Sequence, residues 1–369
     1  MSPFKYGTIV SGRDFCGRKA LLKQIADYIE SSQRIVILGE RRVGKSSTVY
    51  EAILKLPKRR FLYVDLMGIK SIDGLCRRIL RAIVILEQKT AWFEKIIKTL
   101  SYLKPMISID PITSMPTVSF DASVEIKANS ISEVLALFES LEKKRFLIVV
   151  FDEFQDILNL EDSHEALALL RSKIQFQSDI PYIFIGSIRH KMDEIFTHPD
   201  SPFFKSAIPL TVGPLPYDEF SQFLKDKFST GHRAIDNEVL EKVFEIANNT
   251  PGDVQQLCEA LWEVTSDNKI IGLENLKDAL ELIFTREQKS YENYLNLLTN
   301  IQLRCLMAIA KQGGKSVFSV FFLKAAGFNN PSSVRRAITR MVKLNILFES
   351  GGEYRFVNPF FRAWLSYKG

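Results

Sequence analysis

The 369-residue sequence is poor in the residues that build disulfide scaffolds and metal centres. Its four cysteines are far apart and form no C-x-x-C pair, and its four histidines are scattered. Neither a disulfide framework nor a metal site made of Cys and His is therefore indicated. Isolated cysteines of this kind favour a reducing compartment and a role as small buried hydrophobic residues.

Long apolar runs are also missing. No stretch approaches the ~20 consecutive apolar residues that a membrane-spanning helix needs, and Met1 to Arg18 lack the apolar core of a secretory signal. With 46% apolar and 25% charged residues, the composition is that of an ordinary globular protein. We therefore predict a cytoplasmic protein of two or three domains with no membrane partner.

Aspartate is absent from the end of the chain. From Arg286 to Gly369 there are 13 Lys and Arg against 4 Glu and no Asp, a net charge of +9 within a total of +6. The preceding residues therefore carry about −3. A basic C-terminal module on a near-neutral body points to an anionic partner, and first to nucleic acid.

What the sequence does contain is the phosphate-binding pattern G-x-x-x-x-G-K-S, directly after the apolar run Ile35–Leu38. The two glycines permit a sharp turn and a close approach of backbone N–H groups to phosphate oxygens. The lysine supplies charge for the β- and γ-phosphates, and the serine supplies a hydroxyl for Mg²⁺. A helix starting at Lys45 would direct its positive dipole end at the anion. The pattern predicts that ATP or ADP is bound by Gly39, Glu40, Arg41, Arg42, Val43, Gly44, Lys45, Ser46 and Ser47.

A second half-site follows the most apolar strand of the chain, predicted over 145–153. Asp152 ends this strand, where open α/β sheets bind ligands, and can hold Mg²⁺ beside Ser46. Glu153 is placed to act as general base on the attacking water. Ser187 ends the next strand and is a candidate for positioning that water or sensing the γ-phosphate, or else is part of an ordinary turn. Gln155 either contacts the site or only opens the following helix.

The alternation of strands and helices predicts a doubly wound α/β fold with a parallel sheet. We place a P-loop nucleotide-binding domain at 1–212. It contains an insertion at about 104–128 with a half-buried hairpin, and the sequence indicates no function for this insertion. Gly213 to Pro216 marks a boundary, and a helical lid domain is predicted over 213–284. Three helices and a hairpin turning at Gly351-Gly352 predict a winged helix-turn-helix over 285–369.

A basic helix predicted over Ser332–Asn345 is the candidate recognition helix of the last domain. It would start with Ser332 as its cap and bury Val334, Ile338, Met341 and Val342. Its candidate contacts to double-stranded DNA are Arg335, Arg336, Arg340 and Lys343. Two alternatives stay open, since basic residues also solvate helices and the module could pack on the lid. The aromatic residues Phe356, Phe360, Phe361 and Trp364 are expected in the core.

Taken in order, these motifs resemble the prokaryotic AAA-family ATPases called archaeal-type ATPases, which are AAA+ P-loop proteins related to the signal-transduction ATPases. The resemblance rests on Phe15-x-Gly17-Arg18, Gly39–Ser46 (Walker A), Phe151–Gln155 (Walker B), Gly186-Ser187, Ser201–Phe204, Pro251 with Val254-Gln255, and Pro359–Phe361 with Trp364. It implies an ATPase that uses Mg²⁺. It also implies that Phe15, Gly17 and Arg18 lie near the adenine and that Pro251, in the lid, touches the nucleotide.

The sequence departs from this family in the lid and in the residues that act between subunits. Asn249-Thr250-Pro251 replaces Gly-x-Pro, and no arginine occurs from Asp253 to Gln256. The candidates for an arginine-finger position that acts on a neighbouring subunit are Lys205, which lacks the planar fork of arginine, and Arg189. We therefore expect a slow ATPase with a DNA-contacting winged helix. Whether the protein self-associates stays an open alternative. The alternative is a nucleotide-gated switch with little turnover whose winged helix binds protein partners.

Overall fold

The computed structural model describes residues 2–57, 60–87, 90–110, 116–121, 123–142, 146–266 and 269–368. The chain divides into two compact units. Residues Ile9–Gly213 form one, here the sheet unit; Met1–Thr8 and Pro214–Gly369 form the other, here the helical unit. The first eight residues, which sequence analysis assigns to the nucleotide-binding domain, thus belong to the helical unit. Our division of the chain into three domains stays an interpretation.

A five-stranded, all-parallel sheet is the centre of the sheet unit, as predicted. In spatial order it is β2-β5-β6-β1-β7, so β1 lies between β6 and β7. Edge strand β7 contains Pro209, which an edge tolerates because one side of the strand needs no ladder N–H. The strands are β1 (Ile35–Leu38), β2 (Arg60–Asp65), β5 (Leu147–Asp152), β6 (Tyr182–Gly186) and β7 (Ile208–Thr211).

Both faces of this sheet are covered, because alternate residues of its strands enter two different cores. Ile35 and Ile37 lie in one core with α1 and α2, and Val36 lies in the other with α3, α5 and α6. This explains the unbroken apolar run of β5, every residue of which is buried. The helices are α1 (Lys19–Glu30), α2 (Lys45–Leu54), α3 (Ile72–Glu87), α4 (Thr90–Thr99), α5 (Asn129–Glu142), α6 (Ser163–Ile174) and α7 (Arg189–Phe196).

The predicted insertion contains the predicted hairpin, formed by β3 (Pro105–Ile109) and β4 (Pro116–Phe120). Val118 and Phe120 are buried in the core that contains α3. On the other strand Ile109 is 67% exposed, so the hairpin is half-buried as expected. Residues 111–115 and 122 of the insertion lie outside the described residues. Short 3-10 helices occur at Gly12–Asp14, Ser101–Leu103 and Phe154–Asn159.

The helical unit contains four helices before its winged-helix part, of which α10 (Pro251–Val264) is buried on most sides. Phe4 of this unit packs against Phe228 and Trp262. The structure adds a two-residue parallel bridge between β8 (Ala234–Ile235) and β9 (Ile270–Ile271), in a region that reads as helix throughout. Helix α11 (Leu273–Asn296) extends beyond the predicted lid domain and so runs through the predicted boundary at 284/285. The helices are α8 (Tyr217–Ser229), α9 (Asn237–Ile246), α10 (Pro251–Val264) and α11 (Leu273–Asn296).

The C-terminal part has the predicted winged-helix order of three helices followed by a hairpin. Strands β10 (Leu347–Ser350) and β11 (Glu353–Phe356) pair antiparallel around Gly351-Gly352, both with positive φ. Phe356, Phe360, Phe361 and Trp364 are buried, as expected for core residues. The helices are α12 (Asn300–Gln312), α13 (Val320–Ala325), α14 (Pro331–Lys343) and α15 (Pro359–Lys368).

Two details predicted for α14 are wrong. Its cap is Asn330, whose side chain accepts a hydrogen bond from the Ser333 N–H, and Ser332 lies inside the first turn. The buried face consists of Val334, Ala337, Ile338 and Met341, whereas Val342 is 36% exposed. Asparagine is as good a cap as serine, and Pro331 suits the first helical position.

Candidate nucleotide-binding and hydrolysis site

The phosphate-binding loop connects β1 to α2 at the carboxyl edge of the sheet. Gly44 has a φ of +93°, a conformation that favours glycine, and α2 begins at the next residue. Gly39 is required for a different reason: a Cβ there would lie 2.4 Å from the carbonyl oxygen of Val212. The loop can therefore present the N–H groups at the start of α2 to an anion, as sequence analysis expects.

Lys45 is buried although it carries no direct ion pair with an acidic side chain among the described residues. Its Nζ donates a hydrogen bond of 2.8 Å to the carbonyl oxygen of Glu40, within the same loop. Burial lowers the pKa of Lys45, and the nearby carboxylates of Glu153 and Asp152 partly oppose this effect. An ammonium held in this way is desolvated in advance, so a phosphate anion is a favourable partner for it.

Asp152 ends β5 and is joined directly to the loop. The Ser46 hydroxyl donates a hydrogen bond of 2.5 Å to Oδ2 of Asp152, and the Tyr63 hydroxyl donates to the same oxygen. Oδ1 accepts a bond of 2.8 Å from the Glu153 N–H. Burial raises the pKa of Asp152, whereas the hydrogen bonds from Ser46 and Tyr63 lower it.

Glu153 follows directly and has a positive φ of +50°. Its Oε2 accepts a hydrogen bond of 2.7 Å from the Ser187 hydroxyl and another from Nε2 of Gln155. The Gln155 side chain is buried, and its Oε1 accepts a bond of 3.3 Å from the Ser187 N–H. Oε1 of Glu153 has no hydrogen-bond partner among the described residues. The structure thus brings together the strand-end residues that sequence analysis singled out.

One of these contacts was not predicted. Tyr63 lies on β2, which pairs with β5 in register Tyr63↔Val150, so its ring reaches along the sheet edge to Asp152. Its only sequence signal is that it occurs near the end of a strand next to β5. For Gln155 the sequence left two alternatives, a contact with the site or a place at the start of the following helix. Both are correct, because Gln155 donates to Glu153 and lies in the first turn of the 3-10 helix Phe154–Asn159.

Arg18 supports the loop from outside. Its guanidinium Nη2 donates to the carbonyl oxygens of Val43, at 2.7 Å, and Gly213, at 2.8 Å. Burial lowers its pKa, and the neighbouring Cys16 has the opposite, smaller effect. Arg18 therefore holds the loop in place. Its predicted position near the adenine, with Phe15 and Gly17, stays a prediction.

Ser47 is also engaged, since its Oγ accepts a bond of 3.1 Å from the Val10 N–H. On the same helix, Oε2 of Glu51 accepts a hydrogen bond of 2.9 Å from the Gly12 N–H. These bonds attach the segment before α1 to α2. Arg41 and Arg42 are exposed on the loop. Pro251 is buried at the first position of α10 in the other unit, and its contact with nucleotide also stays a prediction.

The oxygens at this edge fit Mg²⁺. The cation prefers hard oxygen ligands and keeps several waters, using one or two protein groups together with phosphate oxygens. Ser46 and Asp152 supply a hydroxyl and a carboxylate 2.5 Å apart. No group of three or more His, Cys, Asp or Glu forms a metal cage anywhere in the described residues. That agrees with a cation that would depend on nucleotide for its remaining ligands.

The candidate DNA contacts lie on the exposed face of α14. Arg335, Arg336, Arg340 and Lys343 are all exposed, and none forms an ion pair within the described part of the chain. The Arg335 guanidinium lies over the Phe318 ring, 5.3 Å from its centroid. On the wing, Glu353 pairs with Arg355 at 3.2 Å, so the basic surface is provided by the helix.

Comparison with known families assigns two parts of this chain. Residues 28–191 match the model described as "AAA domain", and residues 289–367 match the one described as "Probable winged helix domain". No curated protein matches the sequence. None of the described helices has the length and hydropathy that a bilayer-spanning helix requires.

Solved structures share the fold at low sequence identity. The Walker-type ATPase PABY2304 of Pyrococcus abyssi is 19% identical with a TM-score of 0.64, covering 96% of both chains. The Aeropyrum pernix ORC2 protein, solved in ADPNP–ADP complexes, is 13% identical with a TM-score of 0.55 over 95% of this chain and 94% of that one. The Aeropyrum pernix ORC1 protein in complex with DNA is 13% identical with a TM-score of 0.53, over 96% and 93%.

These findings agree with the motifs and with the parallel sheet on which they lie. Residues 28–191 thus match an AAA domain and residues 289–367 match a winged helix domain, and the chain has the parallel-sheet P-loop fold that its resemblance to the archaeal-type AAA ATPases predicts.

Proposed function

We propose that this is a cytoplasmic protein that binds ATP with Mg²⁺ and hydrolyses it slowly to ADP and phosphate. The observation that carries the proposal is the bond of 2.5 Å between Ser46 and Asp152, because it joins the phosphate-binding loop to the strand-end carboxylate. When bound, Mg²⁺ would neutralise the negative charge that develops on the phosphates. Ser46 and Asp152 would hold the cation, and Lys45 would contact the phosphates.

Glu153 is the proposed general base. Water attacks the γ-phosphorus, its proton passes to the carboxylate, and the bond from phosphorus to the β–γ bridging oxygen breaks. Since Ser187 and Gln155 occupy Oε2, the proton would be accepted at Oε1, which has no partner among the described residues. Slow turnover is supported by the lid sequence, because Asp253 to Gln256 on α10 include no arginine.

Two substitutions separate binding from hydrolysis. Lys45→Ala is expected to abolish ATP binding measured by isothermal titration calorimetry. Glu153→Gln is expected to keep ATP binding and to stop phosphate release, which a general base accelerates about 10²–10⁴-fold. Turnover by Glu153→Gln at the parent rate would show that the base is another group.

We further propose that the winged helix contacts double-stranded DNA through α14. Four exposed basic side chains that form no ion pair with any described residue support this, and the ORC1 protein of Aeropyrum pernix with the same fold was solved in complex with DNA. The test is a titration of labelled duplex DNA at several salt concentrations, since phosphate contacts make the affinity fall steeply with salt. No binding at low salt would remove DNA as the partner.

The second candidate function is a nucleotide-gated switch with little turnover whose winged helix binds protein. It is favoured by α13, where Val320 and Phe321 are 82% and 78% exposed, since protein interfaces are enriched in aromatic residues. ATP binding without measurable phosphate release, combined with no DNA binding at low salt, would favour this candidate over the first.

A further inference from the structure

A polar pocket of about 390 Å³ lies in the sheet unit, away from the phosphate-binding loop. It forms where β1 and β7 begin, whereas the loop follows the carboxyl end of β1. The two sites are therefore at opposite edges of one parallel sheet. The pocket is lined by Ser31, Ser32, Gln33, Arg34, Ser178, Lys205, Ser206, Ala207 and Ile208.

The charges at this pocket are positive and uncompensated. Nη2 of Arg34 donates a hydrogen bond of 2.9 Å to the carbonyl oxygen of Ile174, at the end of α6. Burial lowers the pKa of Arg34, and the nearby guanidinium of Arg171 lowers it further. Neither of these arginines nor Lys205 forms an ion pair with an acidic side chain in the part of the chain that the structure describes. A bound anion would favour the charged form of Arg34, which burial and the like charge of Arg171 both disfavour.

Buried polar atoms without partners occur in the same place. Nε of Arg34, Nη1 of Arg171 and Oγ of Ser206 are buried and make no hydrogen bond with the described residues. Such atoms are rare in folded proteins, because an unsatisfied buried donor has lost its hydration without compensation. Three of them in and beside one cationic pocket point to a ligand that accepts hydrogen bonds.

We propose that this pocket binds a phosphate group carried by a small molecule. Arg34 would donate from Nε, Ser206 from its hydroxyl, and Lys205 would supply a second charge. Guanidinium groups match phosphate oxygens in geometry and in charge. The volume lies near the lower end of small-molecule pockets, which span roughly 300–1,000 Å³, so a phosphomonoester is favoured over a nucleic-acid backbone.

The test uses the full chain with Lys45→Ala, which removes the phosphate-binding loop as a competing site. Inorganic phosphate and glycerol 3-phosphate are titrated in a calorimeter. Saturable binding is expected, weakened about tenfold by Arg34→Met, the equivalent of one charge-assisted hydrogen bond. The matched control is Arg81→Met on α3, an exposed arginine that does not line the pocket, and it should leave the affinity unchanged.

Arg34 also caps α6, so thermal unfolding of Arg34→Met is measured alongside. If that variant does not fold, the double variant Lys205→Met and Ser206→Ala decides, because Ser206 Oγ makes no hydrogen bond with the described residues and Lys205 lies over the Phe204 ring. The proposal is overturned if neither phosphate probe binds, or if binding is the same in the pocket variants. It is also overturned if a single-stranded oligonucleotide binds in an Arg34-dependent way while both small probes do not.

Discussion

The Ser187 hydroxyl lies 2.7 Å from Oε2 of Glu153 and donates a hydrogen bond to it. This bond joins the ends of two neighbouring strands, since Ser187 follows β6 and Glu153 follows β5. Gln155 closes the arrangement by donating to the same carboxylate oxygen and accepting from the Ser187 N–H. The proposed base is thus held through one oxygen by two side chains of the described structure, which leaves the other oxygen available.

The first prediction concerns the hydroxyl of Ser187. Ser187→Ala is expected to lower kcat about tenfold, because a general base that loses its orientation transfers the proton less efficiently. The dissociation constant of ATP should change less than about twofold, since Ser187 contacts Glu153 and not the loop. Steady-state phosphate release and equilibrium titration measure the two quantities separately.

Ser187→Thr is the control for this change, because threonine keeps a hydroxyl on the same carbon. It should restore most of the lost turnover. If the threonine and alanine variants lose kcat equally, or if both lose ATP affinity instead, Ser187 does not act through Glu153.

The second prediction concerns Tyr63, which shares Oδ2 of Asp152 with Ser46. Burial raises the pKa of the Tyr63 hydroxyl, so it stays protonated and donates at neutral pH. Tyr63→Phe removes this donor and is expected to weaken the apparent Mg²⁺ affinity in ATP turnover by roughly tenfold, as loss of a partner of a metal ligand commonly does. The measurement is the Mg²⁺ dependence of kcat at saturating ATP.

Tyr50→Phe provides a matched control for that experiment. Tyr50 lies on α2 of the same unit, and its ring centroid is 5.6 Å from that of Phe61. Among the described residues, its hydroxyl makes no hydrogen bond with Asp152, unlike that of Tyr63. It should leave the Mg²⁺ dependence unchanged. An equal shift in both tyrosine variants would mean that the effect comes from packing.

The third prediction uses the raised pKa of Asp152 in the nucleotide-free protein. An acid whose pKa is higher in the folded than in the unfolded state binds more protons when folded, so its contribution to stability falls as pH rises. The loss begins near the ordinary value of 3.8 and continues through the folded-state pKa. The side chain at position 152 of the Asp152→Asn variant cannot titrate. The free energy of unfolding of this variant, minus that of the parent, should therefore increase as pH rises.

Urea unfolding of both proteins at a series of pH values measures this difference. The same variant should lose Mg²⁺-dependent turnover, so that higher relative stability accompanies lost function. A difference in unfolding free energy that stays constant with pH would show that Asp152 has an unperturbed pKa.

Much of the site could be predicted because each half has a local signature. Gly44, Lys45 and Ser46 are specified by spacing, and Asp152 and Glu153 follow the most apolar strand. Parallel strands end at the same edge, so the two halves had to lie close together once the α/β order was recognised. Their direct bond between Ser46 and Asp152 follows from β1 and β5 both pairing with β6.

Other contacts could not be predicted, because they depend on which strands pair and in which register. Tyr63 could be linked to Asp152 only by knowing that β2 pairs with β5 in register, and register depends on the whole sheet. Arg34 and Lys205 are 171 positions apart and meet because β1 and β7 are neighbours. Helix α11 runs through the predicted boundary at 284/285, and its Arg286 pairs with Glu259 and Glu263 of α10, an arrangement that local sequence does not indicate.

The last prediction tests the exposed face of α14. If Arg340 neutralises one DNA phosphate, Arg340→Gln should weaken duplex binding at low salt and reduce the slope of log K against log salt by about one. Lys289→Gln on α11 is the matched control, an exposed cation of the same unit that also forms no ion pair among the described residues. Its effect on the slope should be close to zero. Equal changes in both variants would mean that net charge alone attracts DNA, and no change in either would leave α14 without a role in binding.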